Sequence, residues 1–101
     1  MTWEDACAIA RELPGVEISA YDGHPALRVA GQFLARLGDD GVTIEFKGLN
    51  ADERDMLITA RPHMFHALGP DRPLHARLPE IDEATLRGML EHRWRAVRRV
   101  G

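Results

Sequence analysis

The chain has 101 residues, a length that suits one domain with a single core and leaves little room for a deep cleft between two lobes. Hydrophobic residues make up 45% and charged residues 29%, which is ordinary for a globular protein and excludes a mainly disordered chain. The formal net charge of −3 argues against a strong non-specific nucleic-acid binder, and no apolar run approaches the ~18–20 residues of a membrane span.

The segment from Thr2 to Leu13 predicts an amphipathic helix. Thr2 and Asp5 form a capping-box signature, and apolar residues recur at helical spacing until Pro14 ends the segment. The single cysteine, Cys7, lies beside this apolar stripe, which indicates a small buried hydrophobe rather than a reactive thiol. One cysteine forms no internal disulfide, and the chain start lacks the pattern of a secretory signal, so we expect a cytoplasmic protein.

The segment from His24 to Leu37 predicts a β-hairpin that reverses near Gly31. A two-residue turn would mix charged and apolar side chains on both faces, whereas a three-residue loop separates them, so the three-residue loop is preferred. The predicted inner face then carries five apolar residues: Leu27, Val29, Phe33, Ala35 and Leu37. The predicted outer face carries the alternate residues: Ala26, Arg28, Leu34 and Arg36.

The rest of the chain alternates between strand and helix patterns. A short strand or extended lead-in is predicted over 16–20, strands over 42–47, 63–66 and 74–78, and helices over 51–60 and from Asp82 onward. The 51–60 helix has Met56, Leu57 and Ala60 as its predicted apolar side. Each clear strand alternates apolar with polar residues, which indicates one buried and one open sheet face. We therefore predict one α+β domain over 1–101, an α-β3-α-β2-α two-layer sandwich with an antiparallel sheet and its helices on one face.

Motifs with a known chemical mechanism do not occur in the sequence, which has no glycine-rich phosphate loop, HExxH, GxSxG or CxxC. The nearest pattern to a metal site is formed by His63, His66 and His75. Residues three apart in an extended segment face opposite sides, and no cysteine or paired carboxylate completes a ligand shell. We therefore expect no enzyme activity, no metal and no cofactor.

One set of side chains is a candidate functional surface. In the predicted register the open sheet face gathers five residues from four strands: Arg28, Arg36, Lys47, His75 and Arg77. Two interpretations stay open. These residues are either solvated strand residues that pair with Glu45 and hinder edge aggregation, or a patch that binds anions such as a phosphate backbone. A second basic cluster at the end of the last helix is explained by the helix dipole: Arg93, Arg95, Arg98 and Arg99.

Three parts of the chain carry a family resemblance. They are Leu13-Pro14-Gly15-Val16, then Pro25-Ala26-Leu27-Arg28-Val29 with Gly31 and Phe33-Leu34-Ala35, and finally residues 78–94 with the helix start Asp82-Glu83-Ala84-Thr85-Leu86. With these segments the chain resembles the MmcQ/YjbR-like family of small bacterial proteins. The resemblance implies the α-β3-α-β2-α fold of type III secretion chaperones and a proposed double-wing arrangement for DNA binding. The chain departs from the family at residues 68–74, where members usually have an aromatic-rich loop and a tryptophan.

Two functions are expected from these features. The first is DNA binding by the basic open face, through about four to five phosphate contacts if every predicted residue takes part. The second is a chaperone-like protein-interaction module without nucleic-acid affinity, which binds a protein partner or forms a homodimer. In that case Leu34 and Ala26 would be the apolar contacts on the open face. Neither function involves a membrane.

Overall fold

Three helices and six strands form the described part of the chain, which in the computed structural model is residues 1–100 without the side chains of 99 and 100. The helices are α1 (Trp3–Ala10), α2 (Ala51–Ala60) and α3 (Glu83–Val100). The strands are β1 (Glu17–Tyr21), β2 (His24–Val29), β3 (Gln32–Leu37), β4 (Thr43–Phe46), β5 (Phe65–His66) and β6 (His75–Arg77). The Arg99 side chain of the predicted second basic cluster lies outside the described residues. No helix in this range combines the length and apolar character of a membrane span.

The strands form one antiparallel sheet in the order β1-β2-β3-β4-β6-β5, which confirms the α+β prediction with one added strand. The predicted lead-in before the hairpin is a full edge strand, β1, paired along its length with β2. Asp22 and Gly23 both have positive φ, 52° and 81°, which suits the tight two-residue reversal between these strands. The chain order is therefore α-β4-α-β2-α rather than α-β3-α-β2-α.

The turn of the central hairpin differs from its prediction. Ala30 and Gly31 have φ values of 50° and 80°, and Val29 lies opposite Gln32, so the reversal has two residues instead of three. A turn with positive φ at both positions matches the right-handed twist of the strands it joins. Placing Ala30 in the left-handed region costs about 1–2 kcal/mol. The tight turn therefore contains one strained residue that is not glycine.

A β-bulge in β3 exchanges the predicted faces of two neighbouring residues. Arg28 lies opposite Phe33, whereas Leu27 lies opposite Ala35, so β3 has one extra residue between these pairs. That residue is Leu34, which is fully buried in the core, while Phe33 is partly exposed on the open face. The predicted positions of Phe33 in the core and Leu34 on the open face are therefore wrong.

The hydrophobic core lies between the inner face of the sheet and the helices, with α1 and α3 contributing most of the buried helical residues. The capping box predicted at the start of α1 is present: the Asp5 amide donates to the Thr2 hydroxyl, and the Thr2 amide donates to the Asp5 carboxylate. Cys7 is buried, and burial raises the pKa of its thiol. A thiol held in its neutral form is a poor nucleophile, which agrees with a packing role.

Helix α2 covers the core less completely than its sequence predicts. On its predicted apolar side, Met56 and Ala60 are exposed and only Leu57 is partly buried. The buried residue of this helix is Arg54, whose guanidinium donates to the Arg72 carbonyl at 2.9 Å. The predicted apolar side is therefore wrong at two of its three positions, and an apolar groove remains between α2 and α3.

Candidate nucleic-acid interface

The predicted site residues all lie on the open face of the sheet, opposite the helices. Cross-strand partners share a face, and the register places Arg36 opposite Glu45 and Glu45 opposite His75. The same rule assigns the other strand members, and the five predicted residues on this face are Arg28, Arg36, Lys47, His75 and Arg77. Three of them lie within 4 Å of the carboxylate of one acidic residue, which gives the surface an organised centre.

Glu45 is that centre, and it is nearly buried, with 4% of its surface exposed. The Arg36 Nε donates to the Glu45 carboxylate at 2.6 Å, and the Lys47 ammonium lies 3.3 Å from its second oxygen. The His75 Nε2 is 3.8 Å away. Because this buried carboxylate contacts side chains from neighbouring strands, it holds the sheet together as well as forming part of its surface.

The charge of Glu45 reduces the positive charge of the patch. Burial opposes its ionisation, but the hydrogen bond from Arg36 and the charge of Lys47 outweigh this effect and hold the pKa of the carboxyl below its ordinary value. The group is therefore ionised at neutral pH. Strand alternation assigned Glu45 to the correct face, but alternation carries no information about how deeply that side chain is enclosed.

Two aromatic rings lie among the cations, and neither was predicted for this face. Tyr21 and Phe33 meet edge to face, with ring centroids 4.6 Å apart. The Arg28 guanidinium lies 5.5 Å from the Phe33 centroid, and the Lys47 ammonium lies 4.8 Å from the Tyr21 centroid. Such cation–π contacts hold the cations over the face rather than letting them extend freely. Asp22, followed by glycine, was an available signal, because Asp-Gly is typical of the tight hairpin that makes Tyr21 a strand residue.

The other two arginines of the predicted site differ in the contacts that their guanidinium groups make within the protein. Arg77 donates to the backbone carbonyls of Pro62 at 3.3 Å and His63 at 3.0 Å, so its guanidinium supports the turn before β5. Arg28 makes no ion pair with any residue in the described range and is partly exposed. Among the predicted site residues, Arg28 is therefore the cation most available to an anion.

A pair of histidines extends the face toward β5. His66 and His75 lie opposite each other, with ring centroids 5.2 Å apart, and the buried His66 Nδ1 has no hydrogen-bond partner. Burial lowers the pKa of both imidazoles, and the charge of Arg77 lowers that of His66 further. At neutral pH, His75 therefore adds no positive charge to the patch. Within residues 1–100, no three His, Cys, Asp or Glu side chains are grouped to hold a metal ion.

We expect the protein to lose stability as the pH falls below about 6.5, the ordinary pKa of histidine. Since the folded-state pKa values of His66 and His75 are lowered, the unfolded chain takes up protons first. The stabilisation is complete above the ordinary pKa and is lost as the pH falls through the folded-state values. Urea unfolding across this range measures it, and the pH dependence should weaken in both His66→Gln and His75→Gln.

The matched control for this measurement is His92→Gln, because the His92 side chain is 72% exposed. This variant removes an imidazole from the exposed surface of α3 and leaves the sheet face unchanged. If the two substitutions on the sheet face change the pH dependence no more than His92→Gln does, the histidine pair is not its source.

Comparison with known proteins gives no relative of this chain: no family model, curated protein or solved structure matches it. The resemblance to the MmcQ/YjbR-like family therefore stays a prediction from the segments quoted above.

Proposed function

We propose that the chain is a DNA-binding protein, not an enzyme, and that it contacts phosphates through the open face of its sheet. The observation that carries this proposal is the convergence of Arg28 from β2, Arg36 from β3 and Lys47, the residue after β4, on a single face. Guanidinium groups match phosphate geometry, and contacts to the backbone need no particular base sequence. The resemblance to a family with a proposed double-wing DNA-binding arrangement supports the same function.

The open face has fewer free cations than its sequence predicts, which limits the expected affinity. Arg36 and Lys47 share the Glu45 carboxylate, and Arg77 is held by backbone carbonyls. We therefore expect about two to three phosphate contacts, and a slope of log affinity against log salt of about −1.8 to −2.7 on duplex DNA. Such binding is weak, and it would be detected at low ionic strength.

We expect Arg28→Ala to weaken duplex binding and to make the salt slope less negative by about 0.9, the contribution of one phosphate contact. Arg28 is the best position for this test because its removal breaks no ion pair in the described range, whereas Arg36 holds the buried Glu45. Fluorescence anisotropy of a labelled duplex across a salt series measures both quantities.

Arg95→Ala is the matched control, because it removes the same charge from α3, where Arg95 pairs with Glu91. Equal effects of Arg28→Ala and Arg95→Ala would mean that only net charge matters and that the open face is not the interface. No binding by the natural chain at about 50 mM salt and tens of micromolar protein would overturn the proposal itself.

A protein-interaction module is the second candidate, but its predicted contacts do not hold. Leu34 and Ala26 are both fully buried, so neither offers an apolar contact on the open face. The observation that favours this candidate is a different one: Met56 is 65% exposed beside the apolar groove on the helical side. A homodimer in light scattering, together with absent DNA affinity, would favour this candidate over the first.

A further inference from the structure

A cavity of about 390 Å³ opens between α2, α3 and the segment that follows β4. Its lining is mainly apolar and includes Phe46, Leu49, Met56, Leu57, Met89 and Ala96. Small-molecule sites usually have volumes of about 300–1,000 Å³, with apolar walls and a few polar groups that fix orientation. The cavity lies at the lower end of that range. It opens on the helical side of the sheet and borders the proposed DNA interface at Lys47, whose ammonium pairs with Glu45 on the open face.

Gly88 keeps the cavity open on its α3 side. It lies inside an 18-residue helix, where glycine is about 0.5–1 kcal/mol less stable than alanine. A Cβ atom built at this position would meet no atom within 4 Å, so core packing does not require glycine there. Across the cavity, Met56 supplies a flexible and polarisable side chain that can adapt to an apolar ligand.

Arg93 supplies positive charge to the same cavity. Its guanidinium lies against Gly48, where a built Cβ would come within 2.6 Å of Nη1, so a larger residue at 48 would displace it. Gly48 also has a φ of 86°, which favours glycine. The Arg93 Nε donates one long hydrogen bond of 3.4 Å to the Phe33 carbonyl. The guanidinium is thus positioned at the wall, with donors left to bind a ligand.

Lys47 and Glu53 are the other charged groups that line the cavity. The Lys47 ammonium lies 3.3 Å from the Glu45 carboxylate. The Glu53 carboxylate accepts a hydrogen bond from the Asn50 amide and lies 3.9 Å from His92 Nε2, an imidazole that is charged only when protonated. Arg93 has no carboxylate partner among the described residues. The cavity therefore combines apolar walls with one arginine that forms no ion pair within the described residues.

We propose that this cavity binds a small amphiphile, with its aliphatic chain between α2 and α3 and its carboxylate on Arg93. A guanidinium can bind a carboxylate through two parallel hydrogen bonds, which fixes the orientation of the chain. One cation beside a cavity of this size matches a single head group.

Octanoate and octanol are suitable probes, because they share a chain and differ in the charge of the head group. In an NMR titration of the ¹⁵N-labelled natural chain, octanoate should shift amides around the cavity and bind about tenfold more tightly than octanol, as expected for one charged hydrogen-bonded pair. Equal affinities would overturn the assignment of the head group to Arg93. No shift of these amides with either probe would overturn the site.

Two substitutions distinguish binding of the aliphatic chain of the ligand from binding of its head group. Gly88→Leu fills the cavity and should weaken both probes at least tenfold, whereas Gly88→Ala should keep most of the binding and unfold at higher urea concentration. Arg93→Met keeps an unbranched apolar stem, removes the guanidinium, and should reduce the affinity for octanoate to that for octanol without changing the affinity for octanol. Unchanged preference for octanoate in Arg93→Met would contradict the proposal, even if Gly88→Leu failed to fold.

Discussion

Replacing Leu34 with alanine is expected to destabilise the protein by about 2–5 kcal/mol, the usual cost of truncating a buried leucine. Leu34 has no exposed surface and lies in the core because the bulge turns it inward. Phe33→Ala should cost less, about 1–2 kcal/mol, although phenylalanine is larger. Phe33 is partly exposed, and its ring contacts Tyr21 and Arg28 on the open face.

Urea unfolding of the two variants tests the register of the hairpin through their order of stability. The three-residue loop predicted from the sequence would place Phe33 in the core and Leu34 on the surface, and the order would then be reversed. The comparison requires that both variants keep the m-value of the natural chain, because a changed m-value would indicate a changed denatured or native state. A larger loss in Phe33→Ala than in Leu34→Ala would therefore contradict the bulge.

The residues of the open face were nevertheless mostly assigned to the correct face, because two errors in the predicted hairpin cancel each other. The turn is one residue shorter than predicted, and the bulge adds one residue to β3, so the pairing of Leu27 with Ala35 is the same in both registers. Arg28 and Arg36 consequently lie on the predicted face. Alternation with period two assigns faces only while no residue is inserted, and a bulge has no strong signal in a single sequence.

The rest of the site was less predictable because it depends on how deeply each side chain is buried, whereas alternation predicts only the face on which a side chain lies. Sequence alternation gave the face of Glu45, but its burial follows from the strand order and the side chains on each side. The apolar pattern of α2 likewise indicated a buried Met56, whereas that side chain lines an open cavity between α2 and α3 and is 65% exposed. Periodicity predicts the direction of a side chain, but it does not predict which residues pack against that side chain.

Glu45→Gln is expected to destabilise the protein by about 3 kcal/mol, since breaking a buried ion pair leaves its partners uncompensated. The Arg36 and Lys47 side chains are only 22% and 25% exposed, so water compensates their charges incompletely. Urea unfolding at neutral pH measures the loss. Adding Arg36→Met to Glu45→Gln should recover part of it, because the second substitution removes one of the two stranded cations. Full additivity of the two substitutions would show that the pair is not coupled.

The same substitution is expected to strengthen DNA binding, because Glu45 competes with phosphate for Arg36 and Lys47. In folded Glu45→Gln, one or two more phosphate contacts should form, and the salt slope should become more negative by about 0.9 for each. Glu91→Gln is the matched control, since it removes the same charge from α3, beside Arg95 and away from the open face. The Glu45 carboxylate is thus expected to raise the stability of the protein and to lower its affinity for DNA. If Glu45→Gln loses stability but binds DNA no better than Glu91→Gln, then Arg36 and Lys47 serve the sheet alone and the phosphate-binding role of this face is wrong.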